Sequence, residues 1–203
     1  MLKIHTLFPR GYFGANCYLV NSQDEWAVID PSVSMEEAVK AYPEAEGKIK
    51  YILITHAHFD HICNIDSWCK DGAIVIVGEL DAPALSDPQT NCYLGFLGVR
   101  GGYFGEYTTV REGDTLTLGD ENFSVVFTPG HTKGGVCYKF RQGIFVGDTL
   151  FADGGYGRCD LPGGNEDDLW SSIFKLFSEN MIGRFYPGHG NCDTFENSIN
   201  YFK

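Results

Sequence analysis

The sequence predicts a mixed α and β fold in which helices pack outside sheets. Two observations carry this: short β-branched or aromatic runs, each closed by a turn residue, recur along the chain, and two amphipathic stretches have helical spacing. Strands are expected at KIHTLF (residues 3–8), CYLV (17–20), WAVID (26–30) and YILIT (51–55), which have the length and residue types of strands. Between them SMEEAVKAY (34–42) reads as a helix, with Ser34 as N-cap and acids in the first turn. Further strands are expected at AIVIV (73–77), NFSVVFTP (122–129), VCYKF (136–140), GIFVG (143–147) and GRFYPG (183–188). NEDDLWSSIFKLFSEN (165–180) is the second helix, whereas residues 78–112, rich in Gly, Pro and aromatics, read as a long irregular excursion. His5 is a strand residue.

At 203 residues the chain is long enough for one sizeable core, and one domain over residues 1–203 is expected. No apolar run reaches the roughly 18 residues of a membrane span. The opening residues lack the pattern of a secretory signal, so a cytoplasmic location is expected. Cys17, Cys63, Cys69, Cys92, Cys137, Cys159 and Cys192 are odd in number and never spaced C-x-x-C. That argues against a disulfide framework or a thiolate zinc knuckle. A net charge of −12 with no basic run makes nucleic acid an unsuitable partner. No oligomeric state is assigned.

Four strand-like runs end on metal-ligand residue types. YILIT leads into HAHFDH, with His56, His58, Asp60 and His61; FSVVFTPG leads to His131, GIFVG to Asp148 and RFYPG to His189. Three of the four arrive directly after Gly, which permits a tight turn and close backbone approach. Five histidines and two aspartates suffice for two metal ions sharing a carboxylate. In an extended segment His56 and His58 point the same way, and Asp60 and His61, past a bend, can face a second ion. Imidazole suits zinc or iron rather than magnesium or calcium. Two divalent ions per chain are expected, zinc foremost, with iron or manganese as alternatives.

THAHFDH, TPGHTKGG, GDTLF and PGHG, in this order, resemble the metallo-β-lactamase superfamily, and NCYLV and AVIDP match its first strands. The resemblance implies an αββα sandwich with a dinuclear site at one sheet edge. Within the superfamily, TPGHTKGGVCY, GDTLF and GYGRCDLPGGNEDDLWSSI look most like the glyoxalase II group, the hydroxyacylglutathione hydrolases, especially its short single-domain members. Carried over, His56, His58 and His131 would hold the first ion, Asp60, His61 and His189 the second, and Asp148 would bridge.

The implied activity is hydrolysis of a small-molecule thioester, such as an S-acylglutathione, by attack of a metal-bound hydroxide that Asp60 orients. Arg158 matches the family's carrier-binding basic position, with an ion pair to Asp160 as the alternative reading. Tyr156 would line the substrate mouth beside it, and Lys133 is a further candidate for an anionic substrate, or else a solvated surface lysine. A rival implication comes from the superfamily's persulfide dioxygenases, whose GRTD loop is close to GRCD here. They hold one iron at the positions of His56, His131 and Asp148.

Overall fold

Alternation along the strands decides the layering. The computed structural model describes residues 1–9, 14–70, 72–178 and 183–202. Its first sheet contains β1 (Lys3–Leu7), β2 (Cys17–Ser22), β3 (Glu25–Ile29), β4 (Ile49–Ile54), β5 (Ile74–Gly78) and β6 (Thr108–Val110), adjacent in chain order. The second contains β7 (Thr115–Leu118), β8 (Glu121–Phe127), β9 (Val136–Phe140), β10 (Gly143–Gly147), β11 (Arg184–Pro187) and β12 (Asp193–Thr194), also in order. Pairing in the first sheet is antiparallel from β1 to β3 and parallel from β3 to β6. In the second sheet it is antiparallel except between β10 and β11.

Successive side chains on a strand point to opposite faces, so a strand covered on both sides reads as continuously apolar. On β3, Ala27 and Ile29 face the second sheet, where Phe123, Tyr138 and Phe145 complete the central core. Trp26 and Val28 face outward, under the helix α1 (Met35–Ala41), the short α2 (Phe59–Ile62) and α3 (Ile65–Trp68). The outer face of the second sheet, through Val126, Ile144 and Val146, packs on Leu176 of α5 (Glu166–Ser178) and on Phe195 of α6 (Phe195–Ser198). The layer order is therefore α, β, β, α.

Both sequence-predicted helices form. Ser34 Oγ accepts from the Glu37 N–H at 3.3 Å, as an N-cap should. Ser34→Ala is expected to lower unfolding free energy by about 1 kcal/mol in a denaturant titration. The last two positions expected in the second helix, 179 and 180, lie outside the described residues. The excursion over 78–112 is more ordered than its composition suggests: it holds a 3-10 turn at Ala82–Ser86, α4 (Tyr93–Leu97) and β6. β7, not expected, pairs with β8 as a hairpin partner. Among the described residues no helix is long and apolar enough to cross a membrane.

Candidate metal centre

The ends of β4, β10 and β11 and the loop after β8 meet at one edge of the sandwich. All seven ligand candidates arrive there. Three groups have one ligand atom from each member within 4.8 Å of the others: His56, His58 and His131; His56, His61 and Asp148; and Asp60, His61 and His189. His58 Nδ1 and His131 Nε2 stand 2.9 Å apart. Asp60 Oδ2 lies 3.2 Å from His189 Nε2 and 3.9 Å from His61 Nε2. Asp148 reaches both halves, with Oδ2 3.4 Å from His131 Nε2 and 3.5 Å from His189 Nε2, and Oδ1 3.5 Å from His61 Nε2.

Glycine explains how the loops come so close. A Cβ on Gly188 would run into Asp148 Oδ1 and stand 2.6 Å from His61 Cε1. One on Gly157 would stand 2.7 Å from His131 Nδ1.

The imidazoles are oriented from behind. Asp30, at the end of β3, accepts from the Thr55 N–H at 2.8 Å and the Thr55 hydroxyl at 2.7 Å, and its Oδ2 is 2.9 Å from His61 Nδ1. A carboxylate only accepts, so Nδ1 of His61 carries the proton and Nε2 turns a lone pair into the site. The Thr55 hydroxyl proton is used on Asp30, so Thr55 Oγ1 accepts from His56 Nδ1 at 3.2 Å and frees His56 Nε2. His131 Nδ1 donates to the Arg158 carbonyl at 2.7 Å, which frees His131 Nε2. This is the outer support that metal-binding histidines use. Asp81 braces the loops themselves, accepting from Ala57 N at 3.0 Å, Thr132 Oγ1 at 2.8 Å and Gly134 N at 2.6 Å.

Sequence reasoning missed Asp30, Thr55 and Asp81. Asp30 had a signal, since it closes the WAVID run much as Asp148 follows GIFVG. Asp81 had none, because it lies in the segment read as irregular.

The donor set fits metal ions. His56 Nε2, His61 Nε2 and Asp148 Oδ1 are buried without a hydrogen-bond partner. Each such atom costs about 1–3 kcal/mol unless something compensates it. Imidazole nitrogen with carboxylate oxygen is the ligand chemistry of zinc and of non-haem iron.

Burial, then the neighbouring imidazoles, hold His56 well below its ordinary pKa, and burial with His131 pushes His58 down to about 3. Burial opposes charge on His61 too, but Asp30, Asp60 and Asp148 outweigh it and raise it well above 6.5. His189 is raised likewise, against its burial, chiefly by its hydrogen bond to Asp60. Burial works to raise Asp60 and Asp148, yet the surrounding histidines keep both carboxyls below their ordinary range.

Metal ligation requires neutral imidazole, so ions must displace protons from His61 and His189. Apparent metal affinity, followed by chelator competition, is expected to weaken from about pH 8 to about pH 6. In the ion-free protein the sign reverses: stabilisation from these two raised groups is complete below about 6.5 and is lost as the pH rises through their folded values.

A cavity of about 260 Å³ opens over the centre. His58, Asp60, His131, Asp148 and His189 line it together with Phe59, Phe96, Phe151, Leu161, Cys92 and Arg158. Of the substrate-binding candidates, Arg158 is in this wall, but its Nε and Nη2 each donate to an Asp160 oxygen at 2.6 Å. Tyr156 lies outside the cavity wall, 40% exposed, with its ring 5.1 Å from that of Trp170. Lys133 lines a separate cavity of about 330 Å³ on the far side of His58.

Residues 10–189 match the Metallo-beta-lactamase superfamily. The chain belongs to this superfamily. The crystal structure of the BLEG-1 B3 metallo-beta-lactamase superposes with a TM-score of 0.85 at 30% identity, covering 98% of this chain and 97% of that one. The protein TTHA1623, solved in a di-iron-bound form, gives a TM-score of 0.78 at 29% identity, over 96% and 98%. A curated relative, the probable polyketide biosynthesis zinc-dependent hydrolase PksB of Bacillus subtilis, is 29% identical over 192 residues, 92% of this chain and 78% of its own. The mixed two-sheet fold is that of the metallo-β-lactamase superfamily, as the resemblance implied.

Proposed function

We infer that the chain is a dinuclear metal-dependent hydrolase of thioesters, of the glyoxalase II type, acting on a small molecule such as an S-acylglutathione. The observation that carries the reading is the place of His189: with Asp60 at 3.2 Å and His61 it forms a second ligand group beside the imidazole trio. A mononuclear dioxygenase would need only His56, His131 and Asp148. Hydrolase relatives support the coarser part, among them one named as zinc-dependent. Zinc is the ion this reading favours, with iron, as in the di-iron-bound neighbour, or manganese as alternatives. The cysteines of the chain are all free, which suits the cytoplasm.

Two divalent ions bound here would supply a water whose pKa falls toward about 7 and a Lewis acid for the thioester carbonyl. The chain supplies the rest. Asp60, kept ionised by its histidine neighbours, accepts a hydrogen bond from the attacking water and orients it. Asp148, within reach of both ligand groups, sets their separation. The Arg158 carbonyl and Asp30 keep His131 and His61 aimed inward. Phe59, Phe96 and Phe151 make the cavity wall beside the ligands apolar.

The test is thiol release from S-lactoylglutathione by purified, metal-loaded protein, with glutathione persulfide and a chromogenic β-lactam as competing substrates. Thiol release from the thioester is the expected result. Oxygen uptake on the persulfide, or β-lactam opening, without thioester cleavage would sink the reading.

A further inference from the structure

The cavity wall is unlike a site for a charged substrate. Phe59 and Phe96 stack with ring centroids 5.5 Å apart and planes at 27°, and Phe151 meets His189 edge-on at 6.0 Å. Leu161 is a further apolar residue of the lining. The α4 segment that supplies Phe96, with the loop after it, also leaves Leu97 and Val99 about half exposed. Arg158 is the one lysine or arginine among the described lining residues, and its Nε and Nη2 donate to Asp160. The net charge of −12 adds no attraction for an anion. Positive charge from bound ions would sit at the reacting carbonyl, not along this wall.

We propose that the substrate's acyl group is neutral and apolar, seated against Phe59, Phe96, Phe151 and Leu161, and that recognition does not depend on an anionic carrier thiol. This rests on the thioesterase reading and narrows it. Beyond the ligands an acyl chain meets Phe59, Phe96, Phe151 and Leu161, none of which can pair a hydroxyl, so a hydroxyl carried against them loses water without a matched partner. An alkyl chain has no hydrogen bond to water to give up and gains by burial.

The experiment uses metal-loaded protein and thioesters of one neutral thiol, N-acetylcysteamine: acetyl, butanoyl, hexanoyl and lactoyl, with lactoylglutathione alongside. Full burial is worth about fourfold per methylene in kcat/KM. With the cavity partly open, hexanoyl is expected to exceed acetyl by at least about tenfold. In Phe96→Ala the hexanoyl-to-acetyl ratio is expected to fall to within about threefold. That ratio comes from one sample, so partial folding or metal loss in the variant does not move it.

A wild-type hexanoyl value no higher than acetyl or lactoyl would overturn the proposal while leaving the thioesterase reading intact. So would a preference of more than about tenfold for lactoylglutathione over lactoyl-N-acetylcysteamine, because it would show carrier-charge recognition. Cleavage of none of these thioesters would overturn the thioesterase reading and this proposal with it.

Discussion

Replacing Asp148 with Asn is expected to cost the protein one of its two metal equivalents and to lower kcat/KM for thioester hydrolysis about a thousandfold, or about 4 kcal/mol of transition-state stabilisation. Asp148 is the group whose oxygens reach both halves of the centre, between 3.4 and 3.5 Å from His131, His189 and His61. Asn keeps its volume and one carbonyl oxygen, so packing is preserved. It removes the negative charge that two neighbouring cations would share, and it puts an amide NH2, a donor that cannot ligate an ion, where one carboxylate oxygen stood. Metal analysis of the purified variant, with steady-state kinetics on the same sample, gives the answer. A variant that retains both ions and loses less than about tenfold in rate would show that Asp148 does not connect the two ligand groups.

Asp30→Ala is expected to lower stability by about 3–5 kcal/mol, as when one partner of a buried charged network is removed. The residue is 1% exposed, and its loss leaves the Thr55 N–H, the Thr55 hydroxyl and His61 Nδ1 without their acceptor. Backbone strain adds to the cost, because Asp30 has φ 50°, a left-handed conformation that Asp and Asn tolerate better than Ala. Asp30→Asn separates the contributions: the backbone stays comfortable, but an amide replaces one acceptor oxygen. Metal affinity is expected to fall by about 10–100-fold in either variant, since His61 loses the group that fixes its tautomer. Denaturant unfolding in chelator measures the first effect, and chelator competition the second. Wild-type metal affinity in Asp30→Asn would contradict the orienting role.

How legible the centre was depended on where each residue stood relative to the strands. His56, His131, Asp148 and His189 each follow an apolar run within a residue or two, so the strand pattern itself announced them. Asp30 follows the same logic, yet a lone Asp before Pro reads as a turn. Its partners Thr55 and His61 are 25 and 31 residues away, and only parallel pairing of β3 with β4 brings them together. Asp81 works on backbone N–H groups of two other loops, a job that leaves no mark in residue type.

Arg158 was legible in both of its readings, and the structure contains the ion pair with Asp160. α4 escaped because it has five residues, none buried, so no apolar stripe betrays it. β7 is four residues long with one buried, too short for alternation to stand out from the turns on either side. The apolar cavity wall was unreadable for a different reason. Phe59, Phe96, Phe151 and Leu161 come from segments far apart in sequence and form a surface only after folding.

The central claim is that the seven side chains make two separable metal places, and metal stoichiometry in wild type against His189→Ala tests it most directly. His189 is partly exposed at the cavity and touches Asp60 and Asp148 but none of the His56, His58 and His131 trio at bonding distance. Two divalent ions per chain in the wild type and one in His189→Ala is the expected result, with thioester hydrolysis falling in step. A single ion in both proteins, iron in particular, would contradict the dinuclear account.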